Sequence, residues 1–233
     1  MVKRLGALLL LLAIGGIFTS LLVGYVPDTE LNDTARYYAY HTAADIGSAN
    51  IVTAIVITYR GLDTLGEVTV LFLAAAILGL VLARGRRQAQ ARRALTPVGE
   101  LLTTGSRVLV PLIMLLGVYV FINGHLTPGG GFQGGAVIAS GVLLLLLAGP
   151  RKPFAHSLIA AVESLAGVFY VVIGLMGLVL AGGFLDSRVL PLGVLGALFS
   201  AGTIPILYTL IGLKVGAEFS VMLSDLAETE ELG

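Results

Sequence analysis

The chain has 233 residues, 57% of them hydrophobic and 12% charged, with a formal net charge of zero. A mean hydropathy of +0.97 leaves too little charge to cover a water-soluble surface of this size, so lipid replaces water around much of it. The absence of cysteine excludes disulfides, thiolate metal sites and iron–sulfur ligation within this chain; His41, His125 and His156 lack metal-ligand spacing, and the charge balance gives no reason to expect nucleic acid as a partner.

In lipid every backbone N–H and C=O must be satisfied internally, so a span is a helix or part of a closed barrel. The long apolar runs here lack a period of two and predict helices. Lys3 and Arg4 precede the first run, residues 5–26. It is longer than the apolar core of a secretory signal and lacks a small-x-small cleavage site, so an uncleaved first span is expected. The mixed segment 27–63 contains a short apolar piece, residues 51–59. It is too short to span and too apolar for an ordinary loop, and reads as a re-entrant or interfacial helix.

A second span is expected at 65–83, followed by the basic run Arg84, Arg86, Arg87, Arg92 and Arg93. Four more follow at 108–122, 132–148, 158–185 and 190–213, and an acidic, polar tail begins at Glu218. The expected fold class is all-α: a polytopic membrane protein of about six transmembrane helices plus the short re-entrant or interfacial helix. With a cytoplasmic N-terminus, eleven of the fourteen Lys and Arg residues lie inside and only Arg36, Arg60 and Arg188 outside, as the positive-inside rule requires. Counting 51–59 as a span would move the arginine cluster outside. The chain divides into a two-helix module at 1–84, a basic cytoplasmic linker at 85–106 and a four-helix module at 107–233 with its acidic tail in the cytoplasm. The linker's plain role is to set orientation.

Charges at membrane depth are costly, so each is a functional candidate. Glu163 sits well inside the fifth span. A proton- or ion-pathway role stands against that of a structural carboxylate bonded to a neighbouring helix. Glu67 lies in the first turn of the second span, where a helix N-terminus also favours a negative charge. Arg60 and Asp63 are close enough in sequence to pair with each other or with Glu67. His125 ends the third span, either as a hydrogen-bonded end residue or as a proton carrier. It precedes Pro128-Gly129-Gly130-Gly131-Phe132-Gln133-Gly134-Gly135, five glycines in seven residues. That run makes either a tight turn or a close helix approach beside a wet cavity. Pro205 is expected to kink the last span. Gly212 and Gly216 mark a packing face, and Lys214 is expected to snorkel to the cytoplasmic surface.

The string from Gly124 to Gly135, closing one helix and opening another in a four-span unit, resembles the signature of the MnhB/MrpB family, the B subunit of multisubunit sodium/proton antiporters. The resemblance covers about 107–233. Two earlier stretches, 50–56 and 59–70 with its Gly66-Glu67 pair, resemble the last region of the large antiporter A subunit, which is a separate small E-type protein in membrane-bound hydrogenases. A typical antiporter B subunit lacks the first hundred residues, so the chain resembles an E-like module fused to a B-like one.

The resemblance implies a membrane subunit of a Mrp-type sodium/proton antiporter module, with Na+ and H+ as transported ions and no cofactor in this chain. It implies that Glu67 matches a family carboxylate on an ion path, that Glu163 matches an acidic position of the B subunit, and that His125 and the glycine stretch shape the interface or path. The implied partners are A/D-like and C/G-like antiporter subunits in the plasma membrane of a prokaryote. Two alternatives stand beside it: the ion-translocating arm of a membrane-bound hydrogenase or related redox complex, and a structural scaffold subunit. On the first two readings the chain is itself no enzyme.

Overall fold

The computed structural model describes residues 2–25, 29–86, 99–149 and 156–230. Its helices are α1 (Val2–Val23), α2 (Asp33–Asp45), α3 (Ile51–Ala54), α4 (Gly61–Arg86), α5 (Glu100–Ile122), α6 (Gly131–Ala148), α7 (His156–Leu180) and α8 (Ile204–Glu230). No strand occurs among the described residues. Among the described residues, six helices are long and apolar enough to cross a membrane: α1, α4, α5, α6, α7 and α8. The expected all-α, six-span architecture is therefore present. Residues 87–98, most of the basic linker, lie outside the described residues, as does the end of the acidic tail.

The chain forms two compact units, Met1–Tyr37 and Tyr38–Gly233. The first holds α1, whose stretch Arg4–Val23 is long and apolar enough to cross a membrane, and the start of α2. There the Asn32 side chain caps the helix by accepting from the Ala35 N–H at 2.8 Å.

In the second unit, the apolar piece at 51–59 is helical. Asn50 caps α3, its side chain accepting from the Thr53 N–H, and the helix passes at once into a π-helical turn, Ile55–Tyr59. A π turn displaces the regular i to i−4 ladder. Here the Arg60 N–H bonds the Ile55 carbonyl at 2.7 Å, and the Thr64 hydroxyl donates to the Val56 carbonyl at 2.6 Å. Tyr59 at the end of this turn stacks on Tyr38, ring centroids 4.7 Å apart.

Helix α8 is the hub of this unit, packing against α4, α5, α6 and α7. Between lipid-embedded helices there is no water to expel, so close contact and polar bonds hold them together. Glycines supply the contact. A Cβ on Gly134 would stand 2.6 Å from the Gly117 carbonyl of α5, and one on Gly135 would stand 2.8 Å from Val215 of α8. From the other side, Gly212 receives the Phe121 ring and Gly216 faces Ile138. The packing role expected of Gly212 and Gly216 is what they perform.

Three expectations are corrected. The last span runs from Ile204, not from Leu190. Residues 181–203 are irregular apart from one 3-10 turn, Ser187–Val189, because Pro191, Gly193, Gly196 and Gly202 interrupt an apolar stretch whose hydropathy alone resembles a helix. Pro205 is the second residue of α8. In the first turn its missing N–H costs nothing, so it starts the helix rather than kinking it; the proline inside a span is Pro111, in α5. Finally, Lys214 and Glu218 belong to the middle of α8, not to its end or to a tail.

Candidate functional site

Lys214 and Glu218 are one turn apart on α8, so their side chains share a face. That face meets α7, where Glu163 sits two turns into the helix, and α4, which presents Phe72. The Lys214 ammonium donates to Glu218 Oε1 at 2.6 Å and to Glu163 Oε1 at 3.3 Å, and lies 5.2 Å from the centre of the Phe72 ring. Its three N–H bonds thus meet two carboxylates and an aromatic face. Glu218 is fully buried, and the Lys214 and Glu163 side chains are only 11% and 19% exposed. Glu218 Oε2 has no hydrogen-bond partner. Lys214 does not snorkel because the two carboxylates satisfy it inside the bundle.

More buried polar groups lie along the same helix interfaces. Tyr208 stands six residues, about 9 Å of helix, before Lys214, and its hydroxyl donates to Thr53 Oγ1 at 3.1 Å. Tyr170 stands seven residues beyond Glu163, about 10 Å along α7. Its hydroxyl is buried without a partner, within electrostatic reach of Glu67 and Tyr208. The Thr53 hydroxyl donates to the Gly124 carbonyl at 2.6 Å. Polar groups therefore recur from the Gly124 loop to the Glu163–Lys214–Glu218 cluster.

The loop between α5 and α6 is held from the side of α3. The Asn50 amide donates to the Gly124 and Thr127 carbonyls at 2.9 and 3.0 Å. The Asn50 N–H and the Ser48 hydroxyl both bond the His125 carbonyl at 3.0 Å. His125 is fully buried. Its Nε2 lies 3.4 Å from the Ala197 carbonyl, and its Nδ1 has no partner. Burial pushes its imidazole below the usual range, against the smaller opposing effect of backbone carbonyls at Ala197, Leu198 and Ile122. Its backbone carbonyl, bonded by Asn50 and Ser48, locks it into the loop. At Gly129 φ is +148°, a conformation open to glycine, while Gly130 and Gly131 let α6 start against Tyr208 and Ile211.

Of the expected site residues, the structure joins Glu163 to a charge cluster and leaves Glu67 apart from it. Glu67 is exposed on α4, about 8 Å of helix before Phe72. Arg60 and Asp63 pair with each other, three residues apart, with both side chains more than half exposed. His125 and residues 128–130 sit in the loop at the far end of α8 from the cluster, whereas Gly131–Gly135 form the first turns of α6, with Gly135 against Gly212, Val215 and Gly216 of α8. Sequence reasoning misses Lys214 and Glu218 as members of the site. Their one-turn spacing, with the apolar residues Phe219, Val221, Met222 and Leu223 following, is the signal for an intrahelical pair inside a continuing span. On the loop 181–203, Asp186 receives hydrogen bonds from the Arg188 guanidinium at 2.9 Å, which hold its carboxyl below the usual range. This pair pins the loop.

Comparison with known proteins gives consistent relatives. Residues 101–221 match the family described as a domain related to the MnhB subunit of Na+/H+ antiporter, and residues 2–97 match the MbhE family of MBH. An uncharacterised protein of Methanocaldococcus jannaschii is 30% identical over 197 residues, 73% of this chain and 74% of that one. A chain of the membrane-bound sulfane sulfur reductase, an archaeal respiratory membrane complex, superposes with a TM-score of 0.80 at 42% identity, covering 97% of this chain and 98% of that one. A chain of the Mrp complex from Dietzia sp. DQ12-45-1b superposes with a TM-score of 0.74 at 30% identity. The match covers 97% of this chain and 26% of that longer one.

Proposed function

Because this chain belongs to the family of domains related to the MnhB subunit of Na+/H+ antiporters, we propose that its intramembrane carboxylates lie on a sodium- and proton-exchanging path. The chain is a multi-pass membrane subunit of an Mrp-type module, and its partners are other membrane subunits of such a complex. The observation that carries the pathway reading is the buried Glu163–Lys214–Glu218 cluster at the middle of the bundle. Three ionisable groups at that depth are expensive to maintain for packing alone, since apolar residues of similar volume pack as well or better.

Glu67 is the second pathway carboxylate. Its side chain is exposed on the outer face of an apolar span, a place where lipid would not tolerate it. A neighbouring subunit of the module covers it, so Glu67 acts at a subunit interface while Glu163 acts inside this chain. His125, Gly129 and Gly130 shape the loop that closes the other end, and Gly131–Gly135 bring α6 close against α5 and α8. Arg60 and Asp63 pair near the start of the same helix. The orientation that fits the distribution of Lys and Arg has both termini in the cytoplasm of a prokaryotic cell. Glu67→Gln is expected to abolish sodium-driven proton exchange in membrane vesicles while the complex still assembles. Exchange at the parent rate in that variant would remove Glu67 from the path.

One observation favours a redox-linked host over an antiporter alone. The chain matches the sulfane sulfur reductase chain end to end, whereas it spans a quarter of the Mrp chain. On this reading it is the ion-translocating arm of a respiratory complex whose iron–sulfur and metal centres lie in other subunits. Affinity purification of the tagged chain from its own host should bring down antiporter-like membrane subunits together with proteins rich in cluster-ligating cysteines. Antiporter-like subunits alone would place it in a free-standing antiporter.

A further inference from the structure

Two carboxylates and one ammonium, all ionised, leave the cluster with a net negative charge. That imbalance is buried: Glu218 is fully enclosed, and its Oε2 has no donor from the protein. A bare carboxylate oxygen in such a place is costly to keep ionised. Among the described residues, the ionisable groups in contact with it are Lys214 from its own helix and Glu163 from α7, while Glu67 of α4 is exposed and apart from them. Asp225 lies two turns on along α8, beside Gly79. Helix α6 carries no ionisable residue, and Arg107 of α5 is exposed. None of these supplies a second positive charge within contact of Glu218.

We propose that the Glu163–Lys214–Glu218 cluster is a proton-binding site that holds one exchangeable proton on the Glu218 carboxyl. This deepens the pathway reading and rests on it for its role in transport. In the loaded state Glu218 is a neutral acid, its Oε1 still accepting from Lys214, and Glu163 alone balances the ammonium. Release of the proton returns the cluster to its net negative charge. The next cation to approach is drawn to that charge. A proton fits this site better than a sodium ion does. Lys214 already stands between the carboxylates where a metal cation would sit, and a proton neutralises Oε2 without a shell of oxygen ligands. Glu163 is the positioning partner, since its charge makes the proton on Glu218 necessary. Without it, Lys214 and Glu218 balance each other and the proton is not held.

Infrared difference spectroscopy of the purified complex in lipid, stepped from neutral to strongly alkaline pH, reads this proton as a carboxylic-acid C=O band that shifts in deuterium oxide. The parent complex should lose one such band on alkalinisation. Glu218→Gln and Glu163→Gln should each lack that band from the outset, and added sodium at neutral pH should leave it in place. A band that persists in both variants would overturn the proposal, and so would its displacement by sodium. If either variant fails to assemble, the sodium titration of the parent complex decides. The pathway reading fails separately. A band that vanishes in variants whose exchange is normal would make this a resident structural proton, with the proton site standing and its transport role gone.

Discussion

Replacing Lys214 by glutamine is expected to lower the stability of the complex by about 3–5 kcal/mol, the usual cost of breaking a buried ion pair from one side, and to abolish exchange. The ammonium is shared between two carboxylates at 2.6 and 3.3 Å and covered by Phe72. Without it, Glu163 and Glu218 are left out of water with no cation to balance the charge between them. The loss belongs to the charges left behind rather than to packing, so a second substitution should reverse much of it. Lys214→Gln combined with Glu163→Gln should recover much of the thermal stability in the assembled complex, since Glu218 is then left as a neutral acid, with exchange still absent. Thermal unfolding of the detergent-solubilised complex checks both. A single variant as stable as the parent would mean that Lys214 reaches water, as its sequence neighbourhood suggests.

The second large effect is steric. Gly134→Val should prevent the protein from joining the complex, because a Cβ there falls 2.6 Å from the Gly117 carbonyl and 3.0 Å from Phe121. A backbone oxygen cannot turn away as a flexible side chain does. Helices α5 and α6 would have to part, taking with them the loop that Asn50 and Ser48 hold. Overpacking costs about 1–3 kcal/mol in cores that relax, and this contact leaves little to relax. Gly105→Ala provides the control. Its Cβ meets nothing within 4 Å, and alanine favours the helix by about 1 kcal/mol. Western blotting of membranes and native gels of the complex should show Gly105→Ala at parent levels and Gly134→Val missing from the assembly. Normal assembly of Gly134→Val would contradict the packing described.

The spans and the glycine-rich string are legible in the sequence because each is a local property of the chain. About eighteen apolar residues in a row need no tertiary context, and five glycines in seven residues announce close backbone approach wherever they fold. The last helix is not legible in this way. Residues 190–213 are apolar enough to read as one span, yet their first half is a loop whose glycines and Pro191 break the helix. Hydropathy reports solvent and not conformation. Shifting the helix to start at Ile204 carries Lys214 and Glu218 from its apparent end to its middle. A snorkelling lysine and a tail residue thereby become the centre of the site. Glu163 stands out because it interrupts an apolar run, whereas its partners follow the run and resemble its boundary. The burial of His125 is beyond sequence reasoning, since the groups around it come from Ser48, Asn50 and Ala197, far along the chain.

Whether the buried cluster lies on the cation-exchange path or merely joins helices is tested most directly by one measurement. Sodium-gradient-driven proton movement would be followed with a pH-sensitive dye in liposomes containing the whole complex with Glu163→Gln. Glu163 is the least buried member of the cluster, and its removal leaves Lys214 and Glu218 as a balanced pair, so assembly should persist. The expected result is an intact complex whose exchange falls far below the parent, because the path has lost an ionisable group at membrane depth. An intact complex exchanging at the parent rate would contradict it, and the cluster would then be a helix-joining scaffold.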